Sequence, residues 1–156
     1  MAGDITNIEI DGIYAENCHS AVRLLNVIHK VENIKISNVE GSYYQYCIGF
    51  TKYYPGETTG YFDNIVLQNI NASKAPRYPI EEAHMGNKDY HFPFIWIQAD
   101  TRVKNILIDG VHRVERANPI ETIHVGKDTV VDTLTVKHIC QENLTDSHLP
   151  MFVNRG

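Results

Sequence analysis

A nine-residue phrase recurs five times along the chain, with apolar residues at its first, fourth, sixth and ninth positions. Polar residues fill most of the other places, and Gly, Asn or His stands near the end of each copy. Such alternation in β-branched residues predicts a short strand followed by a bend. The copies are residues 5–13, 31–39, 62–70, 103–111 and 131–139.

A second, shorter phrase of apolar, variable and apolar residues follows each copy, at residues 22–24, 48–50, 95–97, 123–125 and 151–153. The fourth positions of the long phrase are 26, 31, 41 and 28 residues apart, with no helical pattern between them. These periods predict a single-stranded, right-handed parallel β-helix of about five coils, an all-β fold. A β-sandwich would need hairpin turns every 8–12 residues, which the sequence lacks.

Asparagine occupies the third position of the first four phrases, at Asn7, Asn33, Asn64 and Asn105. Asn tolerates a left-handed bend, and its amide can bond the same amide of the next coil. We therefore expect an asparagine ladder along the first strands, broken by Thr133 in the last coil.

Two insertions depart from this template, one at about residues 73–92 and a smaller one at about residues 51–61. Insertions in solenoids form loops on the flanks, where ligands often bind. Residues 1–156 are otherwise interpreted as one β-helix domain.

The outward row of the second strands is predicted to contain a cation, a gap at Gly49, an exposed aromatic and a histidine, which suits a sugar-ring platform. Its members are Arg23, Gly49, Trp96, His124 and Phe152. We add three flanking residues, Tyr53, Gln98 and Arg102, to the candidate substrate-binding set. The competing interpretation is a solvated face partly covered by the loop that contains Tyr53.

The outward row of the first strands contains two neighbouring apolar residues, Val66 and Leu107. Either the long insertion folds over them or they lie in a subunit contact. The sequence also shows no capping helix beside the first or last strand. We therefore expect a homo-oligomer formed through the ends of the β-helix, or a piece of a longer β-helix.

Composition excludes several classes of partner. The chain has 14 Lys and Arg against 19 Asp and Glu, a formal charge of −5, which disfavours a nucleic-acid partner. No apolar run approaches the roughly 20 residues of a membrane helix, and no signal peptide is visible, so we expect no membrane partner and a cytoplasmic location by default. The three cysteines lack a Cys-x-x-Cys pair and are interpreted as free, mostly buried thiols.

The repeated Asn-Ile-x-Ile-x-Asn-Ile phrase, the coil lengths and the aliphatic ladders resemble the pectin-lyase-like superfamily of right-handed β-helices, most nearly its polygalacturonase-type glycoside hydrolases. The family's Arg-Ile-Lys motif is partly matched by Arg23-Leu24-Leu25. Arg23 would correspond to the substrate-binding arginine, and Leu25 replaces the lysine. The family's catalytic aspartates precede that motif. The resemblance therefore implies the C-terminal coils of a longer enzyme.

The carboxylates present do not identify a catalytic pair. Glycoside hydrolysis generally needs two carboxyl groups about 5–9.5 Å apart. Asp11 and Asp109 share a repeat position, but they lie three coils apart, on the order of 14 Å. A calcium-dependent lyase would use Asp100 and Arg102, which we interpret instead as a turn ion pair. Catalytic residues are unassigned, and the sequence does not decide whether the chain is an enzyme. If it is one, the two classes considered are glycoside hydrolases and polysaccharide lyases.

Metal ligation is not expected, because the spacing of His84, Asp89 and His91 in the long insertion matches no zinc template. The neighbouring Glu81-Glu82 pair is interpreted as a solvated loop. No cofactor motif is present.

The sequence thus predicts a module that binds or processes poly- or oligosaccharides and that is not catalytic as an isolated chain. The alternative is a structural module that assembles through open β-helix ends.

Overall fold

The computed structural model describes residues 3–52, 60–76, 92–117 and 119–156. The two longest strands are β1 (Ile5–Leu25) and β2 (Lys30–Thr51), which each form a whole coil. The remaining strands are β3 (Tyr61–Lys74), β4 (Ile95–Ile97), β5 (Arg102–Glu115), β6 (Ile123–Val125), β7 (Val130–Asn143) and β8 (Phe152–Asn154). The tips of both insertions, residues 53–59 and 77–91, lie outside the described residues.

Every strand pairing is parallel, and the described residues form a β-solenoid of about five turns, as the repeat predicts. The first-strand face consists of the first parts of β1 and β2 followed by β3, β5 and β7. The second-strand face consists of the last parts of β1 and β2 followed by β4, β6 and β8. The fourth phrase positions stack in one ladder: Ile8, Ile34, Ile65, Ile106 and Leu134.

Inward side chains from successive coils form the core. Ile34, Ile65 and Ile106 are at most 2% exposed, whereas Ile8 in the first coil is 40% exposed because only one neighbouring coil covers it. Aromatic rings fill the wider parts of the interior, where Phe50 and Phe62 meet edge to face with centroids 5.5 Å apart. Burying these apolar surfaces is the main favourable term in folding.

The asparagine ladder forms as predicted in the first three coils. Asn7, Asn33 and Asn64 have φ between 50° and 58°. The Asn33 amide donates to Asn7 Oδ1 over 3.1 Å, and the Asn64 amide donates to Asn33 Oδ1 over 2.7 Å. The prediction is wrong at Asn105, which has no positive φ and donates instead to the carboxylate of Asp63.

A second line of left-handed bends closes the long phrase in every coil, at Gly12, Asn38, Asn69, Gly110 and His138. These are the residue types that adopt positive φ at least cost. Asn69 donates to Asn38 Oδ1, and Asn38 donates to the Asp11 carboxylate, so the bends are also joined between coils. The Ser37 and Asn38 bonds hold the pKa of Asp11 below its usual value.

Three charged groups lie inside the solenoid near the start of the long insertion. Arg113 donates from Nε to Glu115 Oε2 over 2.9 Å, and both side chains are buried. The Lys74 ammonium donates to the backbone carbonyls of Tyr44 and Gln45. Burial, followed by the charge of Arg113, lowers the pKa of Lys74 to about 7.

The thiols are free, but the expectation that most are buried is wrong. Cys47 is buried, whereas Cys18 and Cys140 are exposed. Cys18 lies in the first coil and Cys140 in the fifth, where a neighbouring coil covers the strand on one side only.

Candidate functional site

The strand register brings the predicted second-strand row together. Arg23 pairs with Gly49, Gly49 with Trp96, and Trp96 with His124. Neighbouring members therefore lie about one strand spacing, roughly 4.8 Å, apart. We call Arg23, Gly49, Trp96 and His124 the second-strand row.

The row does not continue to Phe152. His124 pairs with Val153, and Phe152 pairs with Ile123, so the predicted register is one residue off in the last coil. One residue of slip exchanges the two faces of a strand. Val153 therefore follows His124 in the row.

The gap expected at Gly49 is filled by the ring of Tyr46. A Cβ at Gly49 would lie 2.6 Å from Tyr46 Cε2. Glycine is required here because the aromatic ring lies directly over its backbone. The row thus has a packed aromatic floor at Gly49, where the sequence suggested a gap.

Trp96 is half-buried in an aromatic cluster. Its ring centroid lies 4.8 Å from that of Phe92 and 5.5 Å from that of Tyr46. Tyr46 and Phe92 also meet edge to face, with centroids 5.8 Å apart. Such contacts restrict the orientation of the Trp96 ring before any ligand arrives.

His19 extends this cluster toward Arg23. Its ring lies 5.6 Å from Tyr44 and 6.2 Å from Tyr46, both edge to face. Burial and then the positive charge of Arg23 lower the pKa of His19. Sequence reasoning missed His19, Tyr46 and Phe92, although three tyrosines within residues 43–46 signal an aromatic site.

Two members of the row are held by polar partners. Arg23 donates from Nε to the Thr51 hydroxyl over 2.9 Å, which leaves the outer guanidinium nitrogens as additional donors. His124 Nδ1 bonds the carboxylate of Glu121. That bond orients the imidazole so that Nε2 is the nitrogen left for a ligand.

The flanking candidates fall in different places. Gln98 is half-buried just after β4, where its side-chain oxygen accepts the backbone N–H of Lys52 over 2.8 Å. It shapes the corner and does not belong to the row. Arg102 is exposed at the start of β5, beyond the left-handed turn at Asp100. Tyr53 lies outside the described residues.

The expected ion pair between Asp100 and Arg102 does not form. Asp100 instead bonds the buried Lys52 ammonium, which also donates to the Asp100 carbonyl. This arrangement closes the turn after β4 with a satisfied charge pair. Asp100 therefore has a structural partner that the sequence did not reveal.

Metal and membrane chemistry receive no support from the described part of the chain. Its His, Cys, Asp and Glu residues include no group of three placed to hold a metal ion. Among the same residues, no helix is long and apolar enough to cross a bilayer. His84, Asp89, His91 and the Glu81-Glu82 pair lie outside the described residues.

Val66 and Leu107 are neighbours on the first-strand face and are both half-buried. The part of the long insertion expected to cover them is outside the described residues. The choice between that cover and a subunit contact stays a prediction.

No protein-family model matches the chain, no curated protein is detectably similar to it in sequence, and no solved structure matches its fold. The parallel β-solenoid therefore stands on the strand register of this chain alone. The resemblance to polygalacturonases rests on the repeated phrase and on Arg23.

Proposed function

We propose that the chain is a carbohydrate-binding β-solenoid related to polygalacturonases, and that an oligosaccharide binds along the second-strand row. One observation carries the proposal: Arg23, Trp96 and His124 occupy a single row, and Trp96 is held on an aromatic floor. A rigid aromatic ring offers an apolar surface to the C–H face of a sugar, while nearby donors bond its hydroxyl or carboxylate groups.

The spacing of the row favours an extended ligand. Arg23 and Trp96 are two coil steps apart, roughly 10 Å, and His124 is one step further. A chain of two or three sugar rings lying along the solenoid axis would reach all three side chains. Arg23 and His124 would then bind polar groups on either side of the ring stacked on Trp96.

The proposal is binding, without hydrolysis by these residues. In the described part of the chain, the carboxylate bonded to a member of the row is Glu121, and it is engaged with His124. Hydrolysis generally uses two carboxyl groups on either side of one bond.

Trp96 is the only tryptophan of the chain, so its fluorescence reports on the proposed site directly. We expect oligogalacturonides to change the Trp96 emission in a saturable manner. Calorimetry with Trp96→Ala should show Kd raised about tenfold or more, since one aromatic contact contributes roughly 0.5–1.5 kcal/mol beyond its buried area. Neutral cello-oligosaccharides serve as the comparison ligand.

Tyr14→Ala is the matched control, because Tyr14 is a 70% exposed aromatic on the first coil, outside the second-strand row. Its substitution should leave the Kd unchanged. Equal affinity of wild type and Trp96→Ala, or loss of binding in Tyr14→Ala alone, would reject the second-strand row as the site.

A further inference from the structure

A buried arginine bonds the segment of chain that leads into β6, the strand that carries His124. Arg113 is fully buried inside the solenoid. Its Nη1 donates to the Ile120 carbonyl over 2.7 Å and to the Thr122 hydroxyl over 3.0 Å. Hydrogen bonds from a charged donor are stronger than neutral ones, and they are strongest where water is excluded. Arg113 therefore fixes the chain on both sides of Glu121.

Neighbouring coils hold the same segment. The Glu121 carbonyl accepts the backbone N–H of Phe94 over 3.0 Å. The Thr122 hydroxyl, which accepts from the guanidinium, donates in turn to the Gln141 side chain, and Thr122 is fully buried. Successive side chains of an extended chain point in opposite directions. With Thr122 held inward, the side chain of Glu121 lies on the outer side of the coil.

Charge also links the interior to Glu121. Burial lowers the pKa of Arg113, and the nearby carboxylates of Glu115 and then Glu121 oppose that shift. Lys74 is a second basic group in this interior, whereas the buried carboxylate among its described neighbours is that of Glu115. The interior therefore contains more basic than acidic groups, and it attracts the Glu121 carboxylate at its surface.

The Glu121 carboxylate decides which ring nitrogen of His124 carries the proton. An ionised carboxylate only accepts hydrogen bonds, so Nδ1, which it bonds, must be the donor. In the neutral imidazole Nε2 is then an acceptor. The two side chains are only 18% and 16% exposed, so water competes little for this bond. The second-strand row therefore presents a donor at Arg23 and an acceptor at His124.

We infer that Arg113 is a positioning residue for the second-strand row: it holds Glu121, which keeps the His124 proton on Nδ1 and leaves Nε2 to accept a hydroxyl group of the ligand. The row then selects a sugar with an unsubstituted hydroxyl at His124. This selection rests on the proposed oligosaccharide binding. The effect of Arg113 on the His124 tautomer needs no ligand.

Long-range proton–nitrogen NMR of the histidine rings measures the tautomer in the protein alone. Spectra are recorded at about pH 9, above the range in which imidazoles titrate, and His124→Gln identifies the His124 signals. The wild type should show a protonated Nδ1 and an unprotonated Nε2. Glu121→Gln should increase the share of the Nε2–H tautomer about threefold or more, since an uncharged amide can donate as well as accept.

Arg113→Lys tests the buried residue itself. Lysine keeps a basic group beside Glu115 but lacks the planar fork that bonds Ile120 and Thr122 together. We expect the His124 tautomer ratio to move in the same direction as in Glu121→Gln. Circular dichroism checks that the variant retains its β structure.

Thr122→Val covers the case in which Arg113→Lys does not fold. Valine keeps the shape of the side chain but removes the hydroxyl that Arg113 bonds, so the tautomer ratio should again move toward Nε2–H. Thr129→Val is the matched control, because Thr129 is buried just after β6 and its hydroxyl donates to the Gln98 carbonyl over 2.9 Å. It should leave the His124 ring signals as in the wild type.

Calorimetry tests the selection of the ligand. The wild type should bind an oligogalacturonide about fivefold or more tightly than the same oligosaccharide methylated at its ring hydroxyls, and Glu121→Gln should reduce that ratio. Equal ratios in the two proteins would overturn the role of Nε2, and absence of binding by the wild type would reject the proposed function itself. The ring spectra decide separately on Arg113: a His124 proton on Nε2 in the wild type, or Arg113→Lys and Thr122→Val signals identical to those of Thr129→Val, would overturn its positioning role.

Discussion

The two faces of the solenoid are built by the same backbone but differ in what they repeat. On the first-strand face, each coil repeats the same apolar positions, and four of the five coils have asparagine at the third position of the phrase. On the second-strand face, β4, β6 and β8 are only three residues long, and the outward position changes from Gly49 in β2 to Trp96 in β4 and His124 in β6. Repetition fixes the register, and the varied row can then display different side chains at fixed spacing.

The largest expected effect is the loss of stability caused by a substitution in the core of the first-strand face, away from the candidate site. Ile65→Ala removes a side chain that is 1% exposed in the middle of the ladder. We expect the free energy of unfolding to fall by about 2–5 kcal/mol because a cavity is left. Urea denaturation followed by circular dichroism measures it. Ile8→Ala, at the more exposed end of the same ladder, should cost less than half as much, and equal losses would contradict the stacked core.

On the second-strand face, we expect substitution of Gly49 to lower the stability of the protein. Gly49→Ala places a Cβ against the Tyr46 ring, and we expect a loss of about 1–3 kcal/mol from overpacking. The Trp96 emission should shift as well, because Tyr46 packs against Trp96. Gly3→Ala, with open space around it and no positive φ, is the control and should change neither quantity. An unchanged Gly49→Ala protein would mean that the aromatic floor is loosely packed.

The asparagine ladder should contribute less than the apolar core. Asn33→Ala removes two hydrogen bonds between side-chain amides. It also places alanine, which disfavours a positive φ, at a backbone position with φ 57°. We expect a loss of about 1–2 kcal/mol in thermal or chemical unfolding. Asn33→Gly should recover part of it, since glycine accepts positive φ. Asn105→Ala should cost less, because Asn105 makes its bond from an ordinary backbone conformation.

A pH dependence of stability is expected from Lys74, which is buried inside the solenoid between the two faces. The folded-state pKa of Lys74 is lowered to about 7, against roughly 10.4 in an unfolded chain. Between these values the unfolded state binds more protons than the folded state, so this group makes stability rise as pH increases from 7 to 10. Below pH 7, Lys74 is protonated in both the folded and the unfolded state, and its buried charge then lowers the free energy of unfolding by the full amount.

Lys74→Met should flatten that slope, measured as the free energy of unfolding at several pH values. Lys35→Met is the control: the hydrogen bond and charge of Glu9 raise the pKa of Lys35, so Lys35 stays protonated over most of the range. A slope that survives in Lys74→Met would assign it to other groups.

Much of the fold follows from the sequence because the same phrase occurs in coil after coil. Period-two apolar positions and Asn at bends identify the ladder from Ile8 to Leu134, and the varied positions of the second phrase identify Arg23, Trp96 and His124. The register fails only at Phe152, where the last short strand has a neighbouring strand on one side only.

Side chains that cross between rows could not be predicted in this way. Tyr46 covers Gly49 because its ring bends over a neighbouring backbone, which no single-strand pattern encodes. Arg113 lies inside the solenoid because the same row contains the small residues Gly41 and Ala72 in the coils before it. Charged residues are mostly exposed, so the sequence pattern alone does not place Arg113 in the interior beside the Glu115 carboxylate.

The most direct test of the central claim is a side-chain NMR titration with an oligogalacturonide. The claim is that the varied row of a repeated solenoid forms one binding surface. The Trp96 indole N–H, the Arg23 Nε–H and the His124 ring signals should shift together and give a single Kd, while the Asn33 and Asn64 amide signals on the first-strand face stay unchanged. Shifts confined to the first-strand face, or different Kd values for the three members of the row, would contradict it.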